Sequence, residues 1–228
     1  MHTQYAKGRL YRLIFMKFKC IIFDCDGVLV DSEAISAGIF HEMALELGLM
    51  MSYDDILDQI TGTSMKSNIA FFNDRIEGGV PANFEVEYRR RSYDAFRSSL
   101  QPVSGIKDLL KKITVPIGVA SSGPVEKIRL NLTITGLIDR FENQIYSSYD
   151  IGSWKPDPDI YLYAAAKMGF NPMECAVVED STVGIMAALK GNFSVFAYAP
   201  PSRRKLFSEM GATVFESMEA LEKLLQDS

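Results

Sequence analysis

Histidine is scarce in this sequence: there are two, His2 and His41, among 228 residues. A Ser-His-Asp triad or a His-rich zinc site would have to be built from these two residues, one near the N-terminus and the other within a predicted helix. Any enzyme chemistry must therefore depend mainly on carboxylates, lysine and hydroxyls.

Cysteine is also rare. The three cysteines, Cys20, Cys25 and Cys175, are odd in number, and none lies in a C-x-x-C motif. This excludes a disulfide framework of the kind found in small secreted domains. We interpret them as buried free thiols of a protein in the reducing cytoplasm.

Long apolar runs are absent, although 47% of the residues are hydrophobic. A membrane-spanning helix needs about 20 consecutive apolar residues, so we expect no association with a membrane. The net charge of −5 argues against nucleic-acid binding through bulk charge. It is compatible with a local basic pocket for a small phosphorylated metabolite. No protein partner can be inferred.

Residues 1–16 are basic and partly apolar. They do not resemble a signal peptide, because Arg12 interrupts the apolar stretch and no small-residue cleavage site follows. Met16 precedes the first predicted strand directly. We therefore interpret residues 1–16 as an N-terminal extension, or residues 1–15 as the product of an upstream start codon.

The hydrophobic pattern predicts one strand, then a block of helices, then alternating strands and helices. The predicted strands lie at residues 18–23, 116–120, 145–146, 175–178, 193–197 and 213–215. The predicted helices lie at 35–47, from 52 onward, and at 66–76, 84–99, 105–113, 124–134, 158–168, 183–189, 202–210 and 218–225.

This order indicates an α/β fold with a doubly wound, parallel, Rossmann-like sheet. An α-helical cap domain is inserted after the first strand. We assign residues 17–33 and 103–228 to the core and residues 34–102 to the cap. Ligands of such sheets bind at the carboxyl ends of the strands.

Two acids follow the first predicted strand, Asp24 and Asp26, and Gly27 comes next. Asp24 at the strand end suits a nucleophile or a metal ligand, and Asp26 suits a proton shuttle. Crowded carboxylates would be relieved by a hard cation. The alternative is an acidic turn with capping aspartates, and this motif alone does not decide between the two.

Polar side chains also follow later strands. Ser121 and Ser122 precede a helix, where they form an anion site or a simple N-cap. Lys155, in a Pro-rich loop, is a fixed cation or a solvated lysine. Glu179 and Asp180 place further acids at a strand end, and the alternative is that they belong to the N-cap of the following helix. Each motif has an ordinary structural explanation, but their convergence at one sheet edge is hard to attribute to caps alone.

Together these motifs resemble the haloacid dehalogenase-like superfamily of phosphotransferases. The four segments DCDGVLVDSE, VASSG, WKPDPDIY and VVEDS are similar to the four family motifs in order and spacing. The resemblance covers nearly the whole chain after residue 17, and the inserted helical block is similar to the small α-helical cap of one subgroup.

The resemblance implies a Mg²⁺-dependent phosphoryl transfer. By analogy, Asp24 attacks phosphorus, and Asp26 protonates the leaving oxygen and then activates water. Mg²⁺ would be held by the carboxylates of Asp24 and Asp180 and the backbone carbonyl of Asp26, with Glu179 supporting it from close by. Ser121 and Ser122 would bind phosphoryl oxygens, and Lys155 would offset negative charge.

Within the family, Asp26 favours phosphoryl transfer, because the dehalogenases lack an acid at that position. The sugar phosphomutases carry a histidine where this chain has Ser36 and an arginine where it has Met65. Both departures favour a phosphatase of small phosphorylated metabolites, such as sugar phosphates. The alternatives are a β-phosphoglucomutase-type mutase and a non-catalytic phosphate-binding protein; Asp26 and Lys155 argue against the latter.

The cap is expected to choose the substrate. The loop at residues 61–64 is predicted to face the site, with Thr63, Ser64 and Lys66 as substrate-binding candidates. Asn68 and the arginines at 89–91 are further candidates, although a solvated helix face is the preferred interpretation of the arginine run. Hinges near residues 32–35 and 100–104 would let the cap close and exclude water.

Overall fold

The computed structural model describes residues 17–226, so the predicted N-terminal extension lies outside the described residues. The strands are β1 (Cys20–Phe23), β2 (Ile117–Ser121), β3 (Ile145–Ser147), β4 (Cys175–Glu179), β5 (Ser194–Tyr198) and β6 (Thr213–Phe215). They form one parallel sheet in the order β3-β2-β1-β4-β5-β6. This is the predicted doubly wound α/β fold.

The first four helices form the cap: α1 (Glu33–Glu46), α2 (Tyr53–Ile60), α3 (Met65–Asn73) and α4 (Phe84–Ser99). The core helices are α5 (Ile106–Lys112), α6 (Val125–Ile134), α7 (Ser148–Ile151), α8 (Asp159–Met168), α9 (Thr182–Lys190), α10 (Arg204–Glu209) and α11 (Met218–Gln226). Short 3₁₀ helices at Ile138–Arg140 and Pro172–Glu174, and the one-turn α7, were not predicted.

The central strand β1 is buried on both faces. Side chains alternate along a strand, so Ile21 and Phe23 enter one hydrophobic cluster while Cys20 and Ile22 enter the other. This explains the uninterrupted apolar run that predicts the strand. The strand order reverses at β1, because β2 and β3 lie on one side of it and β4, β5 and β6 on the other. Asp24, which follows β1, therefore stands at the topological switch point where such folds bind ligands.

The cap has a hydrophobic cluster of its own, centred on Phe40. Its ring stacks on Tyr88 at a centroid distance of 3.9 Å and on Phe72 at 5.2 Å. As predicted, Ser52 caps α2, because its Oγ accepts a hydrogen bond from the Asp55 backbone at 3.1 Å. The cap therefore packs as a small unit beside the sheet.

Two connections join cap and core, and they run side by side. The backbone N–H of Asp31 donates to Gln101 at 3.0 Å, and that of Val103 donates to Leu29 at 3.1 Å. The predicted hinges lie at these connections. The domain boundaries at 33/34 and 102/103, and the hinge motion itself, stay predictions.

All three cysteines are buried and free, as predicted. Between residues 17 and 226, no helix has the length and apolar character needed to cross a membrane.

Candidate active site

The predicted strand-end residues meet in one cavity between sheet and cap. Asp24 follows β1, Ser121 ends β2, and Asp180 follows β4, so parallel pairing brings them to one edge of the sheet. The cavity is also lined by Asp26, Ser122 and Lys155. Tertiary structure thus assembles most of the predicted site residues of the core around one space.

Lys155 lies between two carboxylates at the base of this cavity. Its Nζ is 2.7 Å from Asp24 Oδ1 and 2.6 Å from Glu179 Oε1, and its side chain is 3% exposed. Burial alone would lower the pKa of Lys155, but Asp24 and Glu179 raise it well above its ordinary value. Lys155 therefore remains a fixed cation directly behind Asp24.

Glu179 is completely buried, and both of its carboxylate oxygens are occupied. Oε1 accepts from Lys155 and from the Tyr161 hydroxyl at 2.9 Å. Oε2 accepts from the backbone N–H groups of Asp180 and Ser181 and from the Ser181 hydroxyl. These bonds make Glu179 an anchor for Lys155 and for the turn that carries Asp180. Its predicted support of a metal would act through these neighbours.

Asp26 has two partners in the cavity. Its carboxylate accepts hydrogen bonds from the Ser32 hydroxyl and, at 2.8 Å, from the ammonium of Lys127. Burial acts to raise the pKa of Asp26, yet Lys127 and Ser32 lower it below the ordinary value. Lys127 was not among the predicted site residues. Its position in the first turn of α6, just after β2, was the available signal.

Asp24, Glu179 and Asp180 form an acidic cluster in which one oxygen of each lies within 4.8 Å of the others. Burial, followed by repulsion from Glu179 and Asp26, raises the pKa of Asp24 to about 7 although Lys155 opposes this. Burial and the charges of Glu33, Glu179 and Asp24 raise the pKa of Asp180 well above its ordinary value.

Lys155 alone therefore does not compensate this concentration of carboxylates. A hard divalent cation with oxygen ligands would relieve the repulsion between Asp24 and Asp180, and such ligands are those that Mg²⁺ prefers. The donor set thus fits the predicted Mg²⁺ site.

Ser121 lines the cavity with its hydroxyl hydrogen uncommitted. Its Oγ accepts from the backbone N–H of Gly123 at 3.0 Å, which leaves the O–H available as a donor. Ser121 is buried, whereas Ser122 is partly exposed in the cavity wall.

The predicted cap residues divide between two spaces. Thr63 lines the main cavity, where its hydroxyl donates to Asn68 Oδ1 at 2.6 Å. Ser64 and Lys66 instead line a neighbouring depression, which also touches Lys155. Ser64 caps α3 by accepting from Ser67 N–H at 3.1 Å. The substrate-binding roles of all three stay predictions.

The arginine run has two environments rather than one solvated face. Arg90 and Arg91 pair with acidic residues on the outside of the cap. Arg89 lines the main cavity and donates to the Tyr149 hydroxyl of α7 at 2.8 Å. Only the orientation of α4 determines which arginine faces inward, and the sequence gives no signal for Tyr149.

Known proteins match most of the length of this chain. A family model described as haloacid dehalogenase-like hydrolase matches residues 21–198. The chain is 30% identical over 211 residues to the 6-phosphogluconate phosphatase of Escherichia coli (strain K12), across 91% of this chain and 95% of that protein. It is 32% identical over 183 residues to the beta-phosphoglucomutase of Bacillus subtilis (strain 168), across 74% of this chain and 78% of the mutase.

Among solved structures, the chain resembles a conserved haloacid dehalogenase-like protein of unknown function from Agrobacterium tumefaciens str. C58. The TM-score is 0.79 at 30% identity, and the match covers 91% of this chain and 97% of that one.

Proposed function

This chain belongs to the haloacid dehalogenase-like hydrolase family, and we propose that it is a Mg²⁺-dependent phosphatase of small phosphorylated metabolites, most of all sugar phosphates. The observation that carries this proposal is the arrangement of Asp24, Asp26 and Lys155. A carboxylate held by a buried lysine lies beside a second acid at the switch point of the sheet. The phosphatase activity named for the E. coli relative supports the same assignment.

The proposed reaction starts with Asp24. A carboxylate oxygen attacks phosphorus, the bond from phosphorus to the leaving oxygen breaks, and an aspartyl-phosphate forms. Asp26 donates the proton that the leaving alkoxide needs. The entering phosphoryl group is itself anionic, so it raises the pKa of Asp26 and favours the protonated form that can donate.

In the second half, Asp26 acts as a base. It takes a proton from water, the water oxygen attacks phosphorus, and the bond to Asp24 breaks to release inorganic phosphate. Ser121 and Ser122 donate to phosphoryl oxygens, while Lys155 offsets negative charge behind Asp24. Positioning and electrostatic stabilisation supply most of the catalysis in phosphoryl transfer.

The metal would be held by the carboxylates of Asp24 and Asp180 and the backbone carbonyl of Asp26. Bound there, Mg²⁺ supplies Lewis-acid compensation for the negative charge on the phosphoryl oxygens.

A mutase is the second candidate, supported by the identity to the B. subtilis enzyme. Ser36 and Met65, at the positions where mutases carry a histidine and an arginine, both line the cavity. Neither side chain supplies the cation that the mutases carry at these two positions. This favours hydrolysis.

A panel of sugar phosphates, with a generic aryl phosphate, tests the function. We expect inorganic phosphate to be released with Mg²⁺ and release to stop when the metal is chelated. Chromatography of the sugar products separates the two candidates, since migration of phosphate between hydroxyls would indicate a mutase. Binding without turnover of any ester would instead support a non-catalytic phosphate-binding protein.

Gly27 provides a test of the Asp180 position. Gly27 has φ +76°, and a β-carbon there would lie 1.9 Å from Asp180 Oδ2. We expect Gly27→Ala to displace Asp180 and to lower kcat by about 100-fold, because small misplacements of reacting groups are costly. Steady-state assays with the aryl phosphate measure this.

The matched control is Gly169→Ala, at φ +83° with no atom within 4 Å of the added carbon. Both variants bear a similar backbone strain of about 1–2 kcal/mol. Equal kcat values in the two variants would contradict a role for Asp180.

A further inference from the structure

Arg89 projects from the cap into the cavity with part of its guanidinium unused. Nε and Nη2 both donate to Glu85 Oε1, at 2.9 and 2.6 Å, and Nη2 also donates to Tyr149 Oη. A guanidinium carries five N–H donors. The two on Nη1 make no hydrogen bond to residues 17–226. Against the effect of burial, Glu85 and the neighbouring Tyr93 hydroxyl raise the pKa of Arg89.

Two tyrosine hydroxyls extend this donor surface. Tyr149 Oη accepts from Arg89, and its own hydrogen has no acceptor in the described part of the chain. Tyr93 lies one helical turn after Arg89, and its buried hydroxyl has no hydrogen-bond partner among the described residues. Both tyrosines line the cavity. We call Arg89, Tyr93 and Tyr149 the donor wall.

The charge balance of the donor wall differs from that of the cavity floor. Lys155 and Lys127 are each held by acids of the reaction centre. The partner of Arg89, Glu85, is not a lining residue, and its side chain is 41% exposed, so water screens this pair. The donor wall thus offers a cation and free hydrogens to a ligand in the cavity.

Unused donors beside a positive charge in a cavity favour binding of an oxyanion. A carboxylate can accept a hydrogen bond from Nη1 of the guanidinium, and such a charge-assisted bond is about twice as strong as a neutral one. Arg89 and Tyr93 belong to the cap, whereas Tyr149 and the phosphoryl-binding residues belong to the core. A ligand held by both Arg89 and the phosphoryl-binding residues would therefore have to reach from cap to core.

We propose that the donor wall binds a carboxylate at the end of the substrate opposite its phosphoryl group, which makes phosphorylated sugar acids the preferred substrate class. This inference rests on the phosphatase function proposed above. The E. coli relative is named for one such acid, 6-phosphogluconate.

Two esters that differ in one group test this inference. 6-Phosphogluconate carries a carboxylate where glucitol 6-phosphate carries a hydroxymethyl group. In Arg89→Gln, we expect kcat/KM for 6-phosphogluconate to fall about 10- to 100-fold, mainly through KM, because a charge-assisted contact is lost. The value for glucitol 6-phosphate should change by less than about threefold.

The matched control is Arg91→Gln, two residues away on the same helix, where the arginine pairs with Glu46 and Glu87 outside the cavity. This variant should have the same kcat/KM as the wild-type chain for both esters. Tyr149→Phe should lower kcat/KM for 6-phosphogluconate in the same direction as Arg89→Gln, but by less. If Arg89→Gln lowers kcat/KM equally for both esters, or for neither, the inference is overturned. A hexose bisphosphate is assayed as well: a loss of kcat/KM confined to that substrate would indicate a site for a second phosphate and would also overturn the inference.

Binding to the Asp24→Asn variant separates this inference from the phosphatase proposal. Calorimetry should show that adding Arg89→Gln to this variant raises the Kd for 6-phosphogluconate about 10- to 100-fold. The Kd for glucitol 6-phosphate should change little. If no ester is hydrolysed by the wild-type chain, the phosphatase proposal fails, yet this selective loss of binding would still support the carboxylate site. Unselective binding would overturn it.

Discussion

The Asp24→Asn variant is expected to lose turnover by at least about 10⁴-fold while it keeps its fold, because an amide cannot form the proposed aspartyl-phosphate. Asn is nearly isosteric with Asp, and its carbonyl oxygen can still accept from Lys155, which lies 2.7 Å from Asp24 Oδ1. Burial raises the pKa of Asp24 to about 7, so neutralising this side chain removes an unfavourable buried charge rather than a stabilising one. Steady-state kinetics and a thermal melt by circular dichroism measure both effects.

A surface aspartate supplies the control. Asp139→Asn changes an exposed side chain in a 3₁₀ helix and should leave kcat unchanged. Trapping with labelled substrate adds a direct readout, since the wild-type chain should acquire acid-stable, hydroxylamine-sensitive label and Asp24→Asn should not. Appreciable turnover by Asp24→Asn would refute Asp24 as the nucleophile.

Lys155→Met is expected to damage stability and activity together. It removes the cation that lies 2.7 Å from Asp24 and 2.6 Å from Glu179, among side chains that are 11% exposed or less. Leaving Glu179 buried without its partner should cost about 3–5 kcal/mol of unfolding free energy. Turnover should fall by about 10³-fold, because the fixed charge behind the nucleophile is lost. Urea unfolding and kinetics provide the two measurements.

Two further variants separate charge from packing. Lys19→Met breaks a pair of the same 2.6 Å length to Glu174, but the lysine is 68% exposed, so the variant should unfold almost as the wild type does. Adding Glu179→Gln to Lys155→Met removes the orphaned charge and should restore about 1–2 kcal/mol without restoring turnover. If Lys155→Met lowers the free energy of unfolding by no more than Lys19→Met does, burial of the Lys155–Glu179 pair does not explain the effect.

Sequence patterns predicted the regular elements well where the elements are long or fully buried. The helix at residues 84–99 has the predicted bounds, and a strand is present at each of the six predicted positions. Shorter features were missed. α7 is a four-residue turn directly after a three-residue strand, and periodicity has no meaning over so few residues. Strand ends were also placed early, since Ser121 and Glu179 are the last residues of β2 and β4 rather than the first residues beyond them.

The residues at the strand ends were predictable for a physical reason. Parallel strands in a doubly wound sheet end at the same edge, so side chains that follow different strands must approach one another there. This brings Asp24, Ser121 and Asp180 together without any knowledge of packing angles. Lys155 reaches them from a loop. Periodicity does not predict its position, and only the resemblance of the segment WKPDPDIY to a family motif identified it.

By itself, the sequence determined the α/β core, the helical insertion, and the acids and hydroxyls at the carboxyl edge of the sheet. These follow from local patterns and from one topological rule. Only the tertiary structure decided that Lys127 reaches Asp26, that Arg89 rather than Arg91 faces the cavity, and that Tyr149 approaches it from the core. Which face of a helix points inward depends on how whole elements pack, and residues far apart in the chain meet only through that packing.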